Sequence, residues 1–132
     1  MQLYLLSVVL NIVGGLALIS RSGGERLTAV RKALGPVGIN VALGLGAVAV
    51  GVLKLVVRSP VETVPVAGDL LPGLAGLGVG AAILMDLYAA RQADSESVAR
   101  IRDAADGYRM PVGVAAIAVG VLHFLFPAVV IL

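Results

Sequence analysis

The sequence predicts an all-α integral membrane protein: four transmembrane helices in two tandem helical hairpins, with short amphipathic helices in the cytoplasmic loops. Three observations carry that prediction. First, hydrophobic residues make up 59% of the 132, charged residues only 14%, and mean hydropathy is +1.03. A soluble domain of this size has too much surface for its volume to bury so much apolar side chain. Second, the apolar residues fall into four runs long enough to cross about 30 Å of hydrocarbon at about 1.5 Å per helical residue, with polar residues collected between them. Third, the chain repeats itself. The stretch Ala47-Val48-Ala49-Val50-Gly51-Val52-Leu53-Lys54 returns as Ala116-Ile117-Ala118-Val119-Gly120-Val121-Leu122-His123, at an offset of 69. Without a gap, that offset also puts Arg31 on Arg100, Gly38 on Gly107 and Gly44 on Gly113. Such self-similarity predicts a single membrane domain, residues 1–132, made of repeat 1 (1–63), a linker (64–69) and repeat 2 (70–132).

The first span runs from Leu3 to Ile19 and is interrupted only by Ser7 and Asn11. No positively charged segment precedes it, so it reads as a retained helix rather than a cleaved signal. Arg21-Ser22-Gly23-Gly24 ends it. From Glu25 to Leu34, Leu27, Val30 and Leu34 recur at helical spacing while Arg26, Arg31 and Lys32 fall off that face. The pattern predicts a surface helix with its basic side towards lipid head groups. Gly35-Pro36-Val37-Gly38 breaks it. The second span covers about Asn40 to Val57 and closes at Arg58-Ser59-Pro60, and Val61 to Asp69, with Glu62 and Pro65, joins the hairpins. The third span covers Leu70 to Tyr88, with Asp86 in its last turn. Arg91 to Arg109 is polar, with Asp94 placed as an N-cap and a weak stripe of Val98, Ile101 and Ala105. The fourth span runs from Met110 to Leu132 and carries Pro127 near its end.

Loop charge predicts the orientation. The first hairpin loop holds Arg21, Arg26, Arg31 and Lys32, and the second holds Arg91, Arg100, Arg102 and Arg109. The central linker side has Arg58, with Lys54 one turn deeper. The positive-inside rule, which counts Lys and Arg alone, puts both loops in the cytoplasm and both termini outside a cell (inner) membrane. Each repeat crosses twice, so both share one orientation and any symmetry axis runs along the membrane normal.

Composition also excludes functions. There is no cysteine for a disulfide or thiolate site, and one histidine cannot build a multi-histidine metal centre. A net charge of +2 gives no reason to expect nucleic acid as a partner. No HExxH, no GxSxG and no nucleophile beside a base occurs, so neither an enzyme nor a cofactor is expected. The expected partners are membrane lipid, further copies of the chain and another membrane protein.

Small residues mark helix contacts. Ala47-x-x-x-Gly51, Ala116-x-x-x-Gly120 and Gly76-x-x-x-Gly80 permit the close backbone approach that joins helices in lipid, within the bundle or between subunits. Lys54 and His123 are the foremost pathway candidates, being ionisable, equivalent under the offset and one at each outer helix end. With Arg58 at the rim they would form a cationic vestibule that attracts an anion or responds to pH; the plainer alternative is a snorkelling lysine and an interfacial histidine. Asp86 is the one carboxylate inside a span, expected either in an ion relay or paired at head-group level with an arginine such as Arg91 or Arg109. Asn11 and Asn40 are expected to hydrogen-bond across helices or to ligate. Tyr4, Tyr88 and Tyr108 suit interface anchoring, and Glu62 and Asp69 would neutralise Lys54 or Arg58.

In span number and length the chain resembles several unrelated classes of small bacterial membrane protein. It lacks the cysteine pairs of quinone-linked disulfide enzymes and the intramembrane glutamate of small multidrug exporters. Two functions are therefore expected from the residues alone. One is a homo-oligomeric channel or transporter for a small ion or solute with an outward-facing cationic mouth, its subunits packed through the small-residue faces. The other is a non-catalytic accessory, scaffolding or lipid-binding subunit.

Overall fold

A computed structural model of the chain describes residues 2–22, 24–57, 67–92 and 94–126. It is all-helical: α1 (Gln2–Ser22), a 3-10 turn (Glu25–Leu27), α2 (Thr28–Leu34), α3 (Val37–Val56), α4 (Ala67–Arg91) and α5 (Glu96–Leu125). Four of these, α1, α3, α4 from Leu70 onward and α5, are long and apolar enough to cross a membrane. Their outward sides carry Leu6, Val9, Leu45, Leu74 and Val114, all exposed. Such a girdle is costly in water and costs nothing in lipid.

The first loop folds as a 3-10 turn and α2, neither with a buried residue. The second loop departs from expectation, because α5 is one helix of 30 residues running through Pro111. A proline inside a helix removes one N–H and crowds the carbonyl four residues earlier, at a cost of about 3 kcal/mol. Here that carbonyl belongs to Gly107, where even an added methyl would meet nothing within 4 Å, so the helix has space to adjust. Docking onto α4 offsets the rest: Val98 is buried, Arg102 Nη2 donates to the Ala89 carbonyl at 3.2 Å, and Arg109 pairs with Asp86. Pro127 lies outside the described residues.

Asn40 acts locally rather than across helices. Its Nδ2 donates to the carbonyls of Leu34, Gly35 and Pro36 at 2.9, 3.0 and 3.1 Å. The turn at Pro36 leaves the Leu34 and Gly35 carbonyls at the end of α2, and Asn40, whose backbone N–H also donates to the Pro36 carbonyl at 3.1 Å, is the first polar side chain within reach.

The most extensive interfaces pair α3 with α4 and α1 with α5; α4 meets α5, and α1 meets α3 and α4, over smaller areas. Each long helix presents one inward stripe at alternating spacings of three and four, the period of left-handed bundle packing. On α1 the stripe is Tyr4, Ser7, Asn11, Gly14, Leu18 and Arg21. On α3 it is Asn40, Gly44, Ala47, Gly51 and Lys54, and on α5 it is Arg109, Gly113, Ala116, Gly120 and His123. On α4 it is Pro72, Gly76, Val79, Ile83 and Asp86.

Glycine sets how close these helices come. A methyl on Gly80 would sit 2.7 Å from the Gly44 carbonyl oxygen, and one on Gly15 would sit 2.6 Å from that of Gly113. Only hydrogen fits at such contacts. All six small residues singled out in the sequence are buried in the protomer: Ala47, Gly51, Gly76 and Gly80 where α3 meets α4, Ala116 and Gly120 on the α5 face towards α1. This corrects one expectation, because faces consumed inside the bundle are not left over to join subunits.

Candidate functional site

Polar side chains gather at the two ends of the bundle and along α1 between them. At one end, Lys54 and His123, each in the last turn of its helix, meet with Lys54 Nζ 3.4 Å from His123 Nε2. Helices α3 and α5 pack on different neighbours, so the long lysine chain makes the junction. Tyr4, in the first turn of α1, completes the cluster. Its hydroxyl donates to the His123 carbonyl at 2.5 Å, and its ring lies 4.8 Å from the imidazole, centroid to centroid. The Lys54 ammonium stands 5.9 Å from the centre of the same ring, within cation–π range. His123 is only 5% exposed. Tyr4, read from sequence as an interface anchor, is thus the platform on which the two basic groups rest; Tyr88 and Tyr108 are exposed. Arg58 and Glu62, expected at this rim, lie outside the described residues, as does the side chain of Asp69.

One and two turns further along α1 come Ser7 and Asn11, 3% and 1% exposed. Asn11 Nδ2 donates to the Pro72 carbonyl of α4 at 3.1 Å, the cross-helix bond its position predicts. Its Oδ1, and the Ser7 hydroxyl oxygen, have no hydrogen-bond partner among the described residues. Glycines flank Asn11: a methyl on Gly76 would come 3.4 Å from Oδ1, and one on Gly120 would come 3.3 Å from Cβ. Beyond them an apolar layer of Leu18, Val79, Ile83 and Ala116 fills the interior, each at most 1% exposed. At 1.5 Å per residue, Asn11 lies about 10 Å from Leu18 along the axis.

The other end is closed by charge. Asp86, its side chain 4% exposed, accepts from Arg21 Nη1 at 2.7 Å. From Arg109 it accepts a fork: Nη2 at 2.7 Å to Oδ1, and Nε at 3.1 and 3.0 Å to the two oxygens. Arg109 also pairs with Asp106. Such bidentate, charge-assisted contacts are the strong class of ion pair. Of the two arginines expected for Asp86, Arg109 is its partner, while Arg91 is exposed and Arg21 takes the second place. The signal for Arg21 was present in its spacing, since it continues the stripe of Asn11, Gly14 and Leu18.

Most of these links join the α1–α5 pair to the α3–α4 pair: Lys54 to His123, Asn11 to Pro72, Asp86 to Arg21 and Arg109, and Arg102 to Ala89. Chemically, one end offers two cationisable groups on an aromatic platform, the middle offers unsatisfied oxygens, and the far end is neutralised and locked. Among the described residues no three His, Asp or Glu side chains converge as a metal site.

A family model matches residues 1–123, and that family has no described function. No curated protein and no solved structure matches the chain.

Proposed function

The chain belongs to the family matched over residues 1–123, and we propose that it is the protomer of a small homo-oligomeric channel or transporter for an anion or weak acid. The observation that carries this reading is the contact of Lys54 with His123. Two ionisable groups from separate helices meet in an apolar protein where each is costly, and such groups mark solute pathways. The buried polar atoms of Ser7 and Asn11 continue inward from that cluster, and the apolar layer below them then stops the route. A sealed interior favours a transporter that opens one end at a time over a permanently open pore.

The tandem repeat supports the same reading. The offset of 69 exchanges α1 with α4 and α3 with α5, and so exchanges the two most extensive interfaces. Two pseudo-equivalent helix pairs with polar links between them suit rocking motions about a shared interface. In the orientation that loop charge favours, the Lys54–His123 cluster faces outside and the Asp86 lock faces the cytoplasm. The homo-oligomer follows from size, because four helices enclose little room. Its contacts would use outward apolar faces, not the buried glycines.

The test is solute flux in proteoliposomes for wild type, Lys54→Ala and His123→Ala, with chloride, phosphate, lactate and potassium as probes. We expect anion or weak-acid flux in wild type and its reduction by about tenfold in Lys54→Ala, the equivalent of about 1.4 kcal/mol at the cationic mouth. Flux indifferent to both substitutions removes this site, and no flux from folded protein points to the accessory-subunit reading.

A further inference from the structure

We propose that Ser7 and Asn11 form a binding site for the neutral, protonated form of a small monocarboxylic acid. The inference rests on the transport reading above and specifies its substrate.

Both side chains are at least nine-tenths buried, and each has an oxygen with no hydrogen-bond partner among the described residues. Buried polar atoms are nearly always paired, and the need is greatest in a membrane interior, where water is not at hand. The chemistry left open is specific. One N–H of the Asn11 amide donates to the Pro72 carbonyl, and its Oδ1 is the atom left without a hydrogen-bond partner among the described residues. The Ser7 hydroxyl both donates and accepts. The ligand must therefore bring a donor for Asn11 and tolerate either role towards Ser7. A carboxylate anion brings no donor, and a metal ion would have to pass Lys54 and His123. A carboxylic acid matches: its O–H donates to Asn11 Oδ1 while its C=O accepts from Ser7. One helical turn separates the two residues, about 5–6 Å between their β-carbons, which suits a group bridging both.

The cluster above supplies the proton. The acid arrives as its anion, drawn to Lys54, with His123 alongside. The imidazolium passes a ring proton to a carboxylate oxygen, giving neutral imidazole and neutral acid, and hydronium from the water on that side reprotonates His123. Histidine suits this exchange because it titrates near neutrality. Among the described residues, titratable groups that face it are Tyr4 of α1 and Lys54 of α3. Losing the charge before moving inward avoids the cost of carrying an ion to the apolar layer.

The chain contains no cysteine, so single cysteines report cleanly. Ser7→Cys and Leu18→Cys proteins in proteoliposomes are treated on both faces with an anionic methanethiosulfonate, with and without lactate. A thiol reacts as its thiolate, which needs water. We expect Ser7→Cys to react about tenfold faster than Leu18→Cys, and lactate to slow it severalfold at mildly acidic pH and much less at alkaline pH. Equal rates at the two positions overturn the site, and fast labelling that lactate leaves unchanged overturns the acid as its ligand. Ser7→Ala gives a second readout: lactate should raise the apparent melting temperature of wild type and not of this variant, and equal shifts overturn the proposal. Flux that depends on Lys54 without labelling at Ser7 would refute this site while leaving the transport reading intact. Labelling with lactate protection but no flux would uphold the site and refute transport.

Discussion

Removing the Asp86 carboxylate should destabilise the bundle more than any other single charge substitution. Asp86→Ala leaves two guanidiniums facing a gap where a buried carboxylate had accepted contacts from both. Breaking a buried ion pair by deleting one partner costs about 3–5 kcal/mol, because the remaining charge stays desolvated. Two features hold the value near the lower end. Arg109 keeps Asp106, and the side chains of Arg21 and Arg109 are 22% and 18% exposed, so water reaches part of each. We expect about 3 kcal/mol. Asp86→Asn keeps the shape and one good acceptor but turns an NH₂ towards an arginine, for about 2 kcal/mol. Arg21→Gln leaves the Arg109 fork whole and should cost about 1.5 kcal/mol, one hydrogen bond to a charged group. The assay is equilibrium unfolding of the detergent-solubilised protein, followed by far-ultraviolet circular dichroism. Asp86→Ala within about 0.5 kcal/mol of wild type, or milder than Arg21→Gln, would refute the reasoning.

Three further predictions follow from packing and topology. Gly80→Ala should destabilise by about 1–3 kcal/mol, since its methyl meets the Gly44 carbonyl, whereas Gly78→Ala, which meets only Val112 at 3.9 Å, should be neutral or gain from helix propensity. The pair is compared by the same unfolding assay. Tyr4→Phe removes the donor to the His123 carbonyl and should cost about 1 kcal/mol, with Tyr108→Phe, an exposed position, as a silent control. A membrane-impermeant maleimide applied to intact cells should label Gln2→Cys and not Ser97→Cys; the opposite pattern would reverse the orientation.

Much of the architecture could be read from the residues because lipid simplifies the code. Four apolar runs admit few alternatives when every backbone group must be satisfied within its own segment. The glycine and alanine pairs announced close packing for the same reason. The polar run of 91–109 puts the start of the fourth span at Met110, and only tertiary contacts at Val98, Arg102 and Arg109 show one helix continuing through it. Asn40 looked like a cross-helix donor because its position is set by the span, whereas its partners are set by the turn at Pro36. The Lys54–His123 contact was legible as an equivalence under the repeat and became a distance only through the folded bundle. Tyr4 reads singly as an interface anchor and Arg21 as a loop charge. Taken with Ser7, Asn11, Gly14 and Leu18 they form one stripe at three-and-four spacing, so the face of α1 was visible in the sequence although the partners it meets were not.

One flux measurement bears on the whole scheme: uptake of labelled lactate into proteoliposomes under an inward proton gradient, for wild type and Lys54→Ala together. Lactate is chosen because its second hydroxyl slows leakage through bare lipid. The scheme predicts uptake that saturates with lactate, collapses when the gradient is dissipated, and falls by about tenfold in the variant. Uptake equal to that of empty liposomes, or identical in the two proteins, would contradict it.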